Sequence, residues 1–213
     1  MSIIRQDIFL VPQTLKLHQV SAAQASEQLT KCPSDSTADD ILPIGIAYHV
    51  SRKGQADFMC LAQPNTPDIL LIPLLEKSKF SPIKNFLCSP PGHKACLVGF
   101  DMPQIAIQIS HATNLPVKGV DLLTLSSNPR ATRHPLVFIT EKIGDKLNQS
   151  AVRRLWFGNR ATARNDTALQ AWLAAWYVPQ QSSHSRRDNP ILLVPLTAAS
   201  WTLWKLSDWI PVT

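Results

Sequence analysis

Apolar and polar positions along the chain change period several times, and each change marks an element. From Val20 the order Val-Ser-Ala-Ala-Gln-Ala-Ser-Glu-Gln-Leu places Ser21 three residues before Gln24, a capping box. Ala25 and Leu29 continue a helical stripe behind it. Residues 32–40 are rich in Pro, Ser, Thr and Asp and predict a polar loop. Three strand-like runs follow at 41–51, 57–62 and 68–75, separated at hairpin spacing by Gly54 and by Pro64 and Pro67. Together they predict an antiparallel meander.

Residues 79–88 predict a short helix with Phe80, Ile83, Phe86 and Leu87 on one side, stopped by Pro90-Pro91-Gly92. Residues 94–99 have the apolar density of a buried strand. In 102–111, Ile105, Ile107 and Ile109 recur every second residue, a strand period, but the order of elements favours a helix. Another apolar run covers 117–125. Amphipathic helices are expected at 137–147 and 165–176, then a polar loop at 180–189. A last helix is expected at 195–209, with Pro195 at a favoured first-turn position. Three meander strands, helix, strand, helix and further helices is an α/β order. A single domain over 1–213 is expected, with 1–40 as an N-terminal strand/helix extension and 41–213 as the core.

Composition adds bounds. The chain has 213 residues, 45% hydrophobic and 17% charged, suited to one α/β domain with a full core. No apolar run approaches the roughly 20 residues that span a bilayer. The opening MSIIRQDIFLVPQ interrupts any apolar stretch with an acid and a proline, so an intracellular protein is expected, in cytoplasm or nucleus, with no membrane partner. Cys32, Cys60, Cys88 and Cys96 form no CxxC pair and lack zinc-site spacing, which predicts buried reduced thiols. There is no Gly-x-Ser-x-Gly elbow, no P-loop and no Gly-x-Gly-x-x-Gly; Ser110-His111 is an adjacent pair and no triad.

The net charge is +6, and residues 127–190 hold ten Lys/Arg against four Asp/Glu, the whole excess. Within that stretch Arg153, Arg154, Arg160 and Arg164 flank Trp156 and Phe157, a combination able to hold phosphates and stack on bases. Arg186 and Arg187, in the expected polar loop, are a second basic candidate. All six tryptophans lie between Trp156 and Trp209, and Trp201, Trp204 and Trp209 cannot share one helix face. At least one is expected at a contact, which suits a protein interface as well as a stacking platform.

Read in order, these elements resemble the DEDD 3′–5′ exonucleases, the ribonuclease D and Werner-helicase exonuclease group. The family's Gly-Phe-Asp-x-Glu strand is similar to Gly45-Ile46-Ala47-Tyr48-His49, and its second and third strands to residues 58–63 and 70–74. Residues 81–87 resemble the helix before its second motif, which falls on 95–107. Val120-Asp121-Leu122-Leu123 matches a structural acid position. Residues 196–200, with Leu203, Leu206 and Trp209, resemble the Tyr-Ala-Ala-x-Asp helix. The resemblance implies a ribonuclease H-like fold: a mixed central sheet, the three-strand meander plus further strands, flanked by helices.

It also implies a two-metal reaction in which four carboxylates hold cations roughly 3.5–4 Å apart. Those acids are missing here. The first-motif positions read Ala47 and His49, the third Leu196 and Ser200, and the second falls on Gln104 or Ile105, with Asp101 three or four residues early. Magnesium is not held against its own hydration without anionic oxygens. His49 with Ser200 could take a softer metal, but a hydrogen-bonded histidine is the simpler reading. The expected function is therefore an inactive exonuclease-like module, with no catalytic residue, metal or cofactor. It would bind RNA or single-stranded nucleic acid or scaffold an RNA-processing assembly. The alternatives are a protein–protein adaptor or homodimer using the Trp-rich end, and an active nuclease with ligands displaced to Asp101 and Asp121.

Overall fold

A computed structural model of the chain describes residues 1–9, 13–31, 42–64, 66–74, 79–88, 95–125, 134–143, 147–158 and 162–188. Its centre is a sheet of seven strands: β1 (Ser2–Gln6), β2 (Gln13–Gln19), β3 (Leu42–Val50), β4 (Ala56–Ala62), β5 (Asp68–Pro73), β6 (Ala95–Gly99) and β7 (Val120–Asp121). They lie in the order β1-β2-β5-β4-β3-β6-β7. β3, β4 and β5 form the expected antiparallel meander, and β6 and β7 add in parallel beside β3. β1 and β2 are an antiparallel pair whose β2 lies parallel to β5, so the N-terminal segment is part of the same sheet.

The meander strands read as almost unbroken apolar runs because both faces of the sheet are covered. On one face Ile44, Ile46, Met59, Leu61, Leu70 and Ile72 pack with α1 (Ala22–Thr30), α2 (Lys84–Cys88) and α3 (Met102–Thr113). The capping box of α1 is complete: the Ser21 side chain accepts from the Gln24 N–H, and the Gln24 side chain accepts from the Ser21 N–H. A 3-10 turn at Ser81–Ile83 precedes α2 and helps bury Phe80, Ile83 and Leu87. In α3 the two-residue isoleucine period resolves as a helix. Met102, Ile105 and Ile109 face inward at helical spacing while Ile107 faces solvent. This helix supplies the crossover that parallel β6 and β7 require.

On the opposite face, β3 and β4 present small residues. Gly45, Ala47, Cys60 and Ala62 meet α6 (Ala163–Asp188), whose Ala168, Ala171, Ala174 and Ala175 are wholly buried. α4 (Pro135–Ile143) and α5 (Gln149–Phe157) complete this layer with Phe138, Ile139, Val152 and Leu155. Phe9 packs on Trp172 and Trp176 of α6, at ring-centroid distances of 5.8 and 4.4 Å.

Two expectations need correction. The helix expected at 137–147 ends at Ile143, and Leu147 instead bridges Phe9; Asn148 then caps α5 by accepting from the Ala151 N–H. An apolar residue in phase with the helix was serving the core from outside it. The loop expected at 180–189 is helical to Asp188, so Arg186 and Arg187 lie on α6. Its polar residues carry no apolar period. Propagating a helix already anchored on the sheet is far easier than nucleating one. The helix expected at 195–209 and the loop at 32–40 lie outside the described residues.

Cys60 and Cys96 are buried, and burial pushes the Cys96 thiol up to about 11 and Cys60 higher still, so both are inert. Cys88 is half-buried and Cys32 lies outside the described residues.

At the end of β6, the Asp121 carboxylate accepts from the backbone N–H groups of Asp101 (3.0 Å) and Leu123 (3.1 Å), clamping β7 to the start of α3. Asp101 itself adopts a left-handed conformation, φ 63°. Burial raises the Asp121 carboxyl above its ordinary value, the backbone hydrogen bonds work against that, and the Asp101 charge adds to it.

Two tests follow from this packing. A Cβ on Gly45 would lie 1.9 Å from the Ala171 carbonyl oxygen and 2.7 Å from the Ala175 nitrogen, so α6 would have to lift. Gly45→Ala should cost about 2–3 kcal/mol in urea unfolding. Gly54→Asn, at φ +75° with open space around it, should cost little. Because the Asp121 carboxyl binds its proton more tightly folded than unfolded, its contribution is present at low pH and lost as pH rises through the folded value. Asp121→Asn keeps an acceptor oxygen and removes the desolvated charge. It should leave stability unchanged or higher near neutral pH, with a shallower fall of the urea midpoint as pH rises above the ordinary carboxyl range.

Candidate functional site

The strand and helix assigned to the first two exonuclease motifs meet in space. Ile46, Ala47 and Tyr48 of β3, Phe100 after β6, Ile105 of α3, Trp156 of α5 and Gln170 of α6 line one recess of about 40 Å³. That is room for a water molecule or two. Ala47, matched to the first motif, and Ile105, one of the two residues matched to the second, thus share a wall. Gln104, the other candidate for the second position, hydrogen-bonds Tyr48.

The donor set is wrong for a pair of hard cations. Ala47, Phe100 and Ile105 have only carbon in their side chains, and the Trp156 indole offers at most an N–H donor. Gln170 donates its amide to the Leu155 carbonyl at 2.7 Å, tying α6 to α5. Burial first, and then the Asp101 charge, push the Tyr48 phenol above its ordinary value, while the Gln104 hydrogen bond acts the other way. The phenol is therefore neutral at physiological pH. These residues do not fit a two-metal centre. Among the described residues no three His, Cys, Asp or Glu side chains come together as a metal-holding group.

The other candidates are engaged in structure. His49 Nδ1 pairs with Asp57 Oδ1 at 2.8 Å, and its ring stacks on Phe58, its cross-strand neighbour, at 5.0 Å. A bulge between His49 and Val50 re-aims this end of the strand. Asp101 and Asp121 do lie together, but the Asp121 carboxylate is already committed to backbone N–H groups. Leu196 and Ser200 lie outside the described residues, as do Trp201, Trp204 and Trp209. The described helix that crosses β3 beside Ala47 is α6, the element bearing Gln170.

The basic segment divides. Arg154 forks onto both oxygens of Asp7 at 2.8 and 2.9 Å, and Arg164 donates to Gln19 at 2.6 Å. Arg153 is exposed. Trp156 is half-buried, edge-on to Phe100 at 5.6 Å, and forms a wall of the recess. Phe157 is the exposed aromatic of the segment. Arg160 lies outside the described residues, and for Arg186 and Arg187 the helical backbone alone is described.

Sequence reasoning missed Phe100, Tyr48 and Gln170 as lining residues. Gln170 had a signal: it is the polar residue inside the Ala-rich run of α6. A larger recess of about 340 Å³ lies at the far end of α1, between His18, Gln28, Lys31, Gln63 and Asp68, with His18 and Asp68 paired at 2.7 Å. It contains none of the positions matched to the metal-binding acids.

No known family model matches the sequence, and no curated protein matches it. Solved structures do. The chain is similar to the Aedes aegypti Nibbler EXO domain at 15% identity and a TM-score of 0.51, over 82% of this chain and 93% of that one. It is similar to Trypanosoma brucei RNase D, solved in complex with GMP, at 12% identity and a TM-score of 0.50, over 91% of this chain and 68% of that one. No helix among the described residues is long and apolar enough to cross a membrane. With its mixed seven-stranded sheet and flanking helices, the chain has the ribonuclease H-like fold of the DEDD-type 3′–5′ exonuclease domains.

Proposed function

We propose that this chain is an exonuclease-fold domain without nuclease activity, retained as an RNA-binding or scaffolding module of an RNA-processing assembly. The observation that carries this reading is the recess between β3, α3 and α6, walled by Ala47, Phe100, Ile105 and Trp156 where a nuclease needs carboxylates. In this reading α6 stands in the place of the third-motif helix, because among the described residues it is the helix laid across β3 beside Ala47. Its residue beside the recess, Gln170, contributes an amide in place of an acid. The nucleic-acid part of the reading is supported by the fold it shares with ribonuclease D, a protein solved with GMP, and by the basic 127–190 stretch. Single domain organisation over 1–213 belongs to the same proposal.

The full chain should release no mononucleotides from the 3′ end of single-stranded RNA with magnesium or manganese. It should bind that RNA at low salt, with affinity falling steeply as salt rises. Manganese-dependent release that disappears in Asp101→Ala would overturn the inactivity. Failure to bind at low salt would remove the nucleic-acid half and leave a protein-binding scaffold.

A further inference from the structure

We infer that Phe157, backed by His134 and flanked by Arg153, is a base-stacking platform for single-stranded nucleic acid, a surface separate from the blocked recess. This rests on the RNA-binding half of the proposed function and gives it a location.

The two neighbouring aromatics of α5 have opposite fates. Trp156 turns inward against Phe100 and walls the recess, where no base could reach its face. Phe157 turns outward and is 61% exposed. One face of its ring is already held. The His134 ring lies parallel to it, with centroids 5.1 Å apart and planes 4° apart. His134 is fixed in turn, because its Nδ1 accepts the Leu136 N–H at 3.1 Å at the start of α4. That bond leaves the ring proton on Nε2 and sets the ring plane before any ligand arrives. The platform is therefore pre-organised, and ordering it on binding costs little entropy.

The charges fit the same ligand. Arg153 lies four residues before Phe157 on α5, hence one turn away on the same side of the helix, and is exposed. Arg154, three residues before Phe157 and so also a turn away on that side, is held by Asp7. A planar ring with a guanidinium a turn away matches a nucleotide, whose base stacks while its phosphate is neutralised. Stacking of this kind tolerates any base.

The test uses the full chain, a short single-stranded oligoadenylate, and an abasic oligomer of the same length. Phe157→Ala should weaken oligoadenylate binding roughly five- to a hundredfold while leaving the salt slope unchanged. Phe157→Trp should retain binding, and the abasic oligomer should not distinguish Phe157→Ala from the parent. Arg153→Gln should lower the salt slope by about one. If the parent binds RNA and Phe157→Ala binds it equally well, the platform is overturned and the RNA-binding reading survives. If the parent binds no RNA at low salt, both fall. If Phe157→Ala abolishes self-association of the chain while RNA affinity is unchanged, the patch is a protein contact and the inference is wrong.

Discussion

The fold depends on how closely α6 can approach the sheet. Gly45 and Ala171 bring a strand and a helix together at backbone distance, with a hydrogen atom where a side chain would otherwise keep them apart. Alanines at 168, 171, 174 and 175 on the helix, and Ala47, Cys60 and Ala62 on the strands, extend that contact. Such a surface excludes water and gains dispersion energy along its length. It also fixes the height at which Gln170 stands over β3, and so the size of the recess.

The chemistry of the recess follows from the same closeness. A carboxylate at Ala47 would be desolvated with no anionic partner in the recess, a cost that cation binding offsets only when several anionic ligands act together. Phe100 and Trp156 fill the volume from the other side, edge against face. The electrostatics of the domain then reside on its surface, where arginines and an exposed ring stand in water.

Much of this was legible in the sequence, and the failures have causes. The meander, the α1 capping box and the buried β6 strand each carry a local signal strong enough to survive tertiary context. The helical character of α3 was hidden by its isoleucine spacing, and the order of elements resolved it. α5 went unread although Asn148 offers a cap, because its apolar stripe is short and broken by paired arginines. In the site, Ala47 and the neighbouring pair Gln104 and Ile105 could be placed from motif order, since strand and helix positions are local. Phe100, Trp156 and Gln170 could not be brought together from the sequence, because their meeting depends on how far apart the layers sit.

The ties between the N-terminal segment and α5 bear on how the chain is made. Asn148 donates to the Ile8 carbonyl, Leu147 bridges Phe9, and Arg154 grips Asp7. β1 and β2 can pair as soon as they leave the ribosome, but Ile4, Ile8, Leu15 and Leu17 gain their cover only when α5 and α6 arrive. At typical synthesis speeds that interval is roughly ten to thirty seconds. For that time the nascent chain carries an uncovered apolar hairpin with an open edge, the form most open to pairing with the wrong strand. The first strands of the chain are among the last to be completed, and a chaperone holding that hairpin would act at the step where this domain is most exposed.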